Sequence, residues 1–136
     1  MESPVSAGAE SVHDVTAYQE LGPFYEAASL GRLRGTQSQS LDEQVRRGEI
    51  ICLTTSDGKR VYPGFQFDGP NLAPLPDLDL VLDALDPHRR DPWGDATWLR
   101  ETRPELDGRS TLQALRDGDA DPVTALARQA GTLLGP

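Results

Sequence analysis

Several side chains in this sequence belong to types that do chemistry, and their spacing decides against most of that chemistry. The two histidines, His13 and His88, have no cysteine and no second histidine at ligand spacing, so each reads as a solvated side chain rather than a metal ligand or general base. Cys52 is the sole cysteine, which excludes an internal disulfide and a multi-cysteine zinc site. Its setting, Ile50-Ile-Cys-Leu53, suits a small core residue. Asp77, Asp79, Asp83 and Asp86 could pose as a carboxylate pair for acid and base work, but on one helix they read more simply as a charged outer face. Ser6 to Gly8 and Gly31 to Gly35 lack the preceding strand and the following Lys or third Gly of a phosphate cradle. Nothing assembles a nucleophile, a base and an orienting group. The expectation is a protein that is not an enzyme and takes no cofactor or metal.

Binding chemistry remains. Trp93 and Trp98 are five residues apart, about 140° around one helix, so one can anchor a core while the other faces a partner. In Leu106-Asp-Gly-Arg109 the Asp and Gly supply turn geometry, and Arg109 is left over, its planar fork suited to a local carboxylate or to a partner. Arg128 and Gln129 project outward from the last helix. In the first half, Arg32, Arg34, Gln37, Gln39, Arg46 and Arg47 are the donors and cations that DNA would need.

These residues require elements to position them. Residues 1 to 18 are rich in Ser, Ala, Gly and Glu without an apolar period and read as a disordered leader. Over 19 to 69, Pro23 opens a short helix through Phe24, Ala27, Ala28 and Leu30, and Gly31 to Gly35 is a turn. Ser38 or Ser40 caps a second helix carrying Leu41 and Val45, which Gly48 stops. Residues 49 to 55 form a β-branched run, Ser56-Asp-Gly-Lys59 is a hairpin turn, and Arg60 to Tyr62 is the returning strand. Helix, turn, helix and hairpin in that order outline a winged helix-turn-helix unit. Tyr62-Pro-Gly-Phe-Gln-Phe67 has no period and reads as a seam.

Residues 70 to 76 read as a Pro and Leu linker. Pro76 then takes a first helical position, and Leu78, Val81, Leu82 and Leu85 recur at the spacing of one buried face. Asp91 caps a helix with Pro92 at its first position, where Trp93, Ala96 and Thr97 share one face and Trp98 and Leu99 widen it. Ser110 with Gln113 fits a capping box, and Leu112 and Leu115 face inward until Gly118. Asp121 and Pro122 repeat the cap-and-proline start, with Val123, Leu126, Ala127 and Ala130 inward, Gly131 as the stop, and 132 to 136 as a tail. The fold class expected is α+β and mainly helical.

The formal charge of −9 argues against broad, backbone-dominated nucleic-acid binding. Yet residues 30 to 60 carry six bases against four acids, so only this segment offers a basic face. Asp42 and Glu43 lie where a recognition helix would want donors, and acids repel phosphates, so DNA binding by the isolated chain is expected to be weak. No apolar run approaches the roughly 18 residues of a membrane span. Residues 1 to 10 are acidic where a signal peptide is basic and then apolar, so the expected location is cytoplasmic, with no membrane partner.

Trp98-Leu99, Leu106-Asp-Gly-Arg109, Leu112 with Leu115, Gly118-Asp119 and Val123 together resemble the toxin-binding domain of Xre, MbcA and ParS antitoxins, over about residues 77 to 131. The family pattern has Pro after the Leu-Asp-Gly-Arg-Ser turn, where this chain has Thr111. The resemblance implies an antitoxin whose partner is a RES-domain, NAD-degrading toxin, neutralised by covering its active site, with repression of its own operon through operator DNA. Tyr62-Pro-Gly-Phe-Gln-Phe67 is similar to the segment that follows the helix-turn-helix in related proteins. By this reading Trp93, Trp98, Arg109, Arg128 and Gln129 contact toxin, and the chain is a homodimer or a hetero-oligomer with it. The alternative is a DNA-binding transcriptional regulator without a toxin partner, and a third reading is a stand-alone adaptor.

Overall fold

The structure is a computed structural model, and it describes residues 21 to 134; the leader predicted for residues 1 to 18, His13, and residues 135 and 136 lie outside the described residues. The fold is α+β and mainly helical, with six helices and two small antiparallel sheets among the described residues. It divides into two compact units, one ending at Pro74 and the other beginning at Leu75. No helix among the described residues is long and apolar enough to cross a membrane.

Among the described residues the first unit contains β1 (Phe24–Glu26) and α1 (Ala27–Arg34), followed by α2 (Ser38–Arg46), β2 (Leu53–Thr54) and β3 (Arg60–Pro63). The helix expected from Pro23 therefore starts later, because Phe24 to Glu26 pair with β3: Tyr25 lies opposite Tyr62 and Glu26 opposite Val61. A half-buried tyrosine paired across the sheet with a buried one outweighs the weak helical signal of a proline. Tyr62, Phe67, Leu30, Leu41 and Ile50 form the core, with Tyr25 edge-on to Phe67 at 6.5 Å. The β2–β3 hairpin closes where predicted, with the Thr55 N–H donating to the Lys59 carbonyl at 2.8 Å. Strand order β1-β3-β2 gives the hairpin a third strand.

Two expectations for this unit need correction. The run at 49 to 55 is a strand only at Leu53 and Thr54, because the Ile51 backbone bonds to the side chain of Gln66 instead of to a strand. Residues 70 to 74 do not serve merely as linker: β4 (Phe67–Asp68) and β5 (Ala73–Pro74) make a two-stranded ribbon turning at Gly69 and Leu72, both at positive φ.

The second unit is all helical: α3 (Leu78–Leu85), α4 (Pro92–Arg100), α5 (Thr111–Arg116) and α6 (Ala120–Leu134). Leu78, Val81, Leu82 and Leu85 are buried as their spacing predicts, and α3 packs on α6, on which Val123 and Ala127 are buried. Asp91 caps α4, accepting from the Gly94 N–H at 3.0 Å with Pro92 in the first position. Ser110 caps α5 by accepting from the Gln113 N–H at 3.0 Å, but the Gln113 amide donates to Asp117 rather than closing a reciprocal box.

Three boundaries differ from the sequence expectation. Pro76 stays outside α3, which starts at Leu78 after Asp77 turns at φ 65°. The last helix starts at Ala120, so Pro122 sits within its first turn, where a missing N–H costs nothing. Gly131 does not stop α6, which runs on to Leu134; a Cβ there would lie 2.6 Å from the Ala84 carbonyl oxygen, so this glycine permits close approach of α6 to α3.

Candidate nucleic-acid interface and partner surface

The α1–α2 turn is tight for a local reason. Gly35 ends α1 at φ 71°, and the Thr36 N–H donates to the Gly31 carbonyl at 2.9 Å. A Cβ on Gly31 would stand 2.8 Å from the Thr36 carbonyl oxygen, so two glycines set the angle at which α2 leaves. Leu41 is fully buried and Val45 packs beside the core, which leaves Gln39, Ser40, Arg46 and Arg47 exposed on α2 and its C-terminal end. Gln37 is exposed at the helix start, where it contributes no side-chain cap.

Asp42 and Glu43 are not bare acids. Arg60, on the strand that follows the hairpin turn, donates to Asp42 at 2.9 Å. Arg46 pairs with one oxygen of Glu43, and Arg47 lies 3.3 Å from the other. Such exposed pairs add little stability, but they offset the negative field of the two carboxylates. Gln39, Ser40, Asp42, Glu43 and Arg46 line a shallow depression of about 430 Å³.

Arg34 plays a different part from the one expected. Its guanidinium lies 5.7 Å over the Phe67 ring and donates to Gln44 at 2.8 Å, tying α1 to α2 and to the core. Partial burial lowers its pKa. Of the six residues expected at DNA, Arg32, Gln37, Gln39, Arg46 and Arg47 are on the surface and Arg34 is a half-buried brace.

In the helical unit the expected toxin contacts separate. Trp98 is in the core, its carbonyl accepting from the Thr111 hydroxyl at 2.9 Å and its ring stacked under Arg103 at 5.7 Å. Trp93 is half-buried. Arg109 is committed to its own turn. Its Nε donates to the Leu106 carbonyl at 2.9 Å, and Nη1 donates to Asp119 at 2.8 Å and Asp117 at 3.0 Å. Those hydrogen bonds, Asp119's first, raise its pKa. The local-carboxylate reading of Arg109 is the one realised.

Arg128 borders an open groove between α3 and α6, about 580 Å³, lined also by Asp77, Leu80, Asp83, Ala84, Ala120, Asp121 and Thr124. Gln129 is exposed beside it on α6. Arg128 and Gln129 lie on α6 as expected, but α6 continues to Leu134, so residues 132 to 134 belong to that helix rather than to the tail expected for 132 to 136. The sequence reading missed Leu80, which is 54% exposed in this groove; a leucine outside the 78, 81, 82, 85 face was the signal that would have found it.

One buried ionisable group also escaped the sequence reading. Asp95 is 4% exposed, and burial, then the hydrogen bond and charge of Asp86, push its carboxyl up to about 8. Asp86 in turn accepts from the N–H groups of Arg90 at 3.1 Å and Asp91 at 2.9 Å. The pair braces the α3–α4 connection. Among the described residues, no group of three or more His, Cys, Asp or Glu side chains is placed to hold a metal.

No family model matches this chain, and no curated protein matches it. Among solved structures, it is similar to the NMR structure of Rv2175c, with a TM-score of 0.60 and 18% sequence identity, over 96% of this chain and 99% of that one. At that identity the likeness carries the fold, which the two chains share nearly end to end.

Proposed function

We propose that the first unit binds duplex DNA, with α2 entering the major groove and the β2–β3 turn lying against the backbone, and that the chain acts as a transcriptional regulator. The observation that supports this reading most is the pairing of the two acids on α2. Asp42 and Glu43, which would repel phosphate, are matched by Arg60, Arg46 and Arg47. Gln39 and Ser40 remain exposed for base edges. In a chain of net charge −9, residues 30 to 60 are the segment with a basic excess. Anisotropy titration against the DNA upstream of its own gene, at several salt concentrations, tests it. Arg46→Ala and Arg47→Ala should each weaken binding and reduce the salt slope by about 1. Binding that is absent, or indifferent to both substitutions, sinks the reading.

A second reading, an antitoxin for a RES-domain toxin, is favoured by the open groove that holds exposed Leu80 beside Arg128. Trp98 and Arg109 are committed within the fold, so toxin contact would fall to Arg128, Gln129 and Trp93. Co-expression with a neighbouring RES-domain protein decides it. Under this reading the pair co-purifies and cellular NAD is preserved; a toxin that stays free and active excludes it.

A further inference from the structure

Among the described residues, the large apolar side chains left exposed are Leu33, at 58%, and Leu80, at 54%. Their surroundings are opposite in sign. Leu33 is in the last turn of α1 beside Arg32, and no acid occurs from residue 27 to residue 41. Leu80 is on α3 in the groove edged by Asp77, Asp121 and Asp83, the last paired with Arg89 at 2.7 Å, with Arg128 as the cation among its lining residues. Each leucine lies on a helix whose other leucines are turned into its own unit's core.

We propose that these two patches bind each other between copies of this chain: Leu33 of one copy enters the α3–α6 groove of the next, and Arg32 meets the carboxylates around Leu80. The occupant is a second copy because the chain carries both halves of a complementary pair, an apolar knob with a cation and an apolar groove with acids. Such a contact is heterologous, with different surfaces on the two copies, so association either closes on itself or continues through the knob and groove left over. A contact centred on one leucine and one arginine is small against the roughly 1,000 Å² of a stable interface, so the association is expected to be weak and sensitive to salt. It does not depend on DNA binding, though Arg32 belongs to both surfaces.

Sedimentation velocity of the full chain, treated with nuclease and run at rising concentration in low and high salt, tests the proposal. The native chain should associate at low salt and less at high salt. Leu33→Gln and Leu80→Gln, neutral changes at exposed helix positions, should each remain monomeric while keeping the native circular dichroism. Mixed in equal amounts, the two variants should form a dimer that goes no further, because one intact knob meets one intact groove. The proposal is overturned by a native chain that stays monomeric at low salt up to the highest concentration. It is equally overturned if either variant still associates alone, or if the mixture fails to dimerise.

Discussion

The side-chain amide of Gln66 pairs with both backbone groups of Ile51: Oε1 accepts from its N–H at 2.6 Å and Nε2 donates to its carbonyl at 2.8 Å. The same Nε2 reaches the Pro63 carbonyl at 3.0 Å, and Gln66 is fully buried. One side chain thus substitutes for a neighbouring strand, which lets the apolar run at 50 and 51 bury its side chains while only two residues beyond join the sheet.

Gln66→Leu keeps the volume but leaves the buried Ile51 N–H and two carbonyls unpaired. It should cost about 2 to 4 kcal/mol. Urea denaturation followed by circular dichroism measures this, and a midpoint equal to the native one would show that the amide is dispensable.

Asp95 ties stability to pH. Its folded-state value, about 8, lies above the ordinary 3.8, so the folded chain holds a proton that the unfolded chain gives up. That contribution is complete below 3.8 and is lost as pH rises toward about 8. Burial pushes Asp86 up, but hydrogen bonds from Asp95 and from the N–H groups of Asp91 and Arg90 more than offset it, so Asp86 titrates below 3.8 and its contribution is lost only on acidification. The thermal midpoint should therefore decline through neutrality, and Asp95→Asn, which cannot ionise, should flatten the decline. A slope unchanged in that variant would assign the effect elsewhere.

Gly131→Ala offers a test by sign. In an open helix this change stabilises by about 0.5 to 1 kcal/mol. Here the added Cβ meets the Ala84 carbonyl oxygen at 2.6 Å and the Leu85 carbonyl oxygen at 3.1 Å, so α6 must shift away from α3 and the midpoint should drop. A rise would mean that the two helices stand farther apart than described.

Glu43→Gln removes the carboxylate that holds Arg46 and Arg47. Under the DNA-binding reading it should tighten binding to duplex DNA at low salt and steepen the salt dependence, as two cations are released toward phosphate. Electrophoretic mobility shifts of the two proteins on one duplex measure it; equal affinities would count against α2 as the contacting helix.

Local signals were readable wherever the residue that ends or caps an element is its own neighbour. Asp91 with Pro92, Ser110, the Ser56-Asp-Gly-Lys59 turn and the 78, 81, 82, 85 face depend on interactions within a few residues, and the local sequence alone specifies them. Long-range pairing decided the rest. Phe24 to Glu26 are strand because β3, some forty residues later, supplies their hydrogen bonds, and Ile51 lies outside the sheet, its backbone groups bonded to Gln66. Gly131 looked like a helix stop, since glycine at a helix end and glycine at a helix contact have the same letter, and only the carbonyls of α3 distinguish them. Arg109 and Arg34 could equally have faced a partner. Asp117 and Asp119 in one case, and Phe67 with Gln44 in the other, come near enough to hold them only once the chain has folded, because a guanidinium on a flexible stem takes the partner that tertiary packing presents.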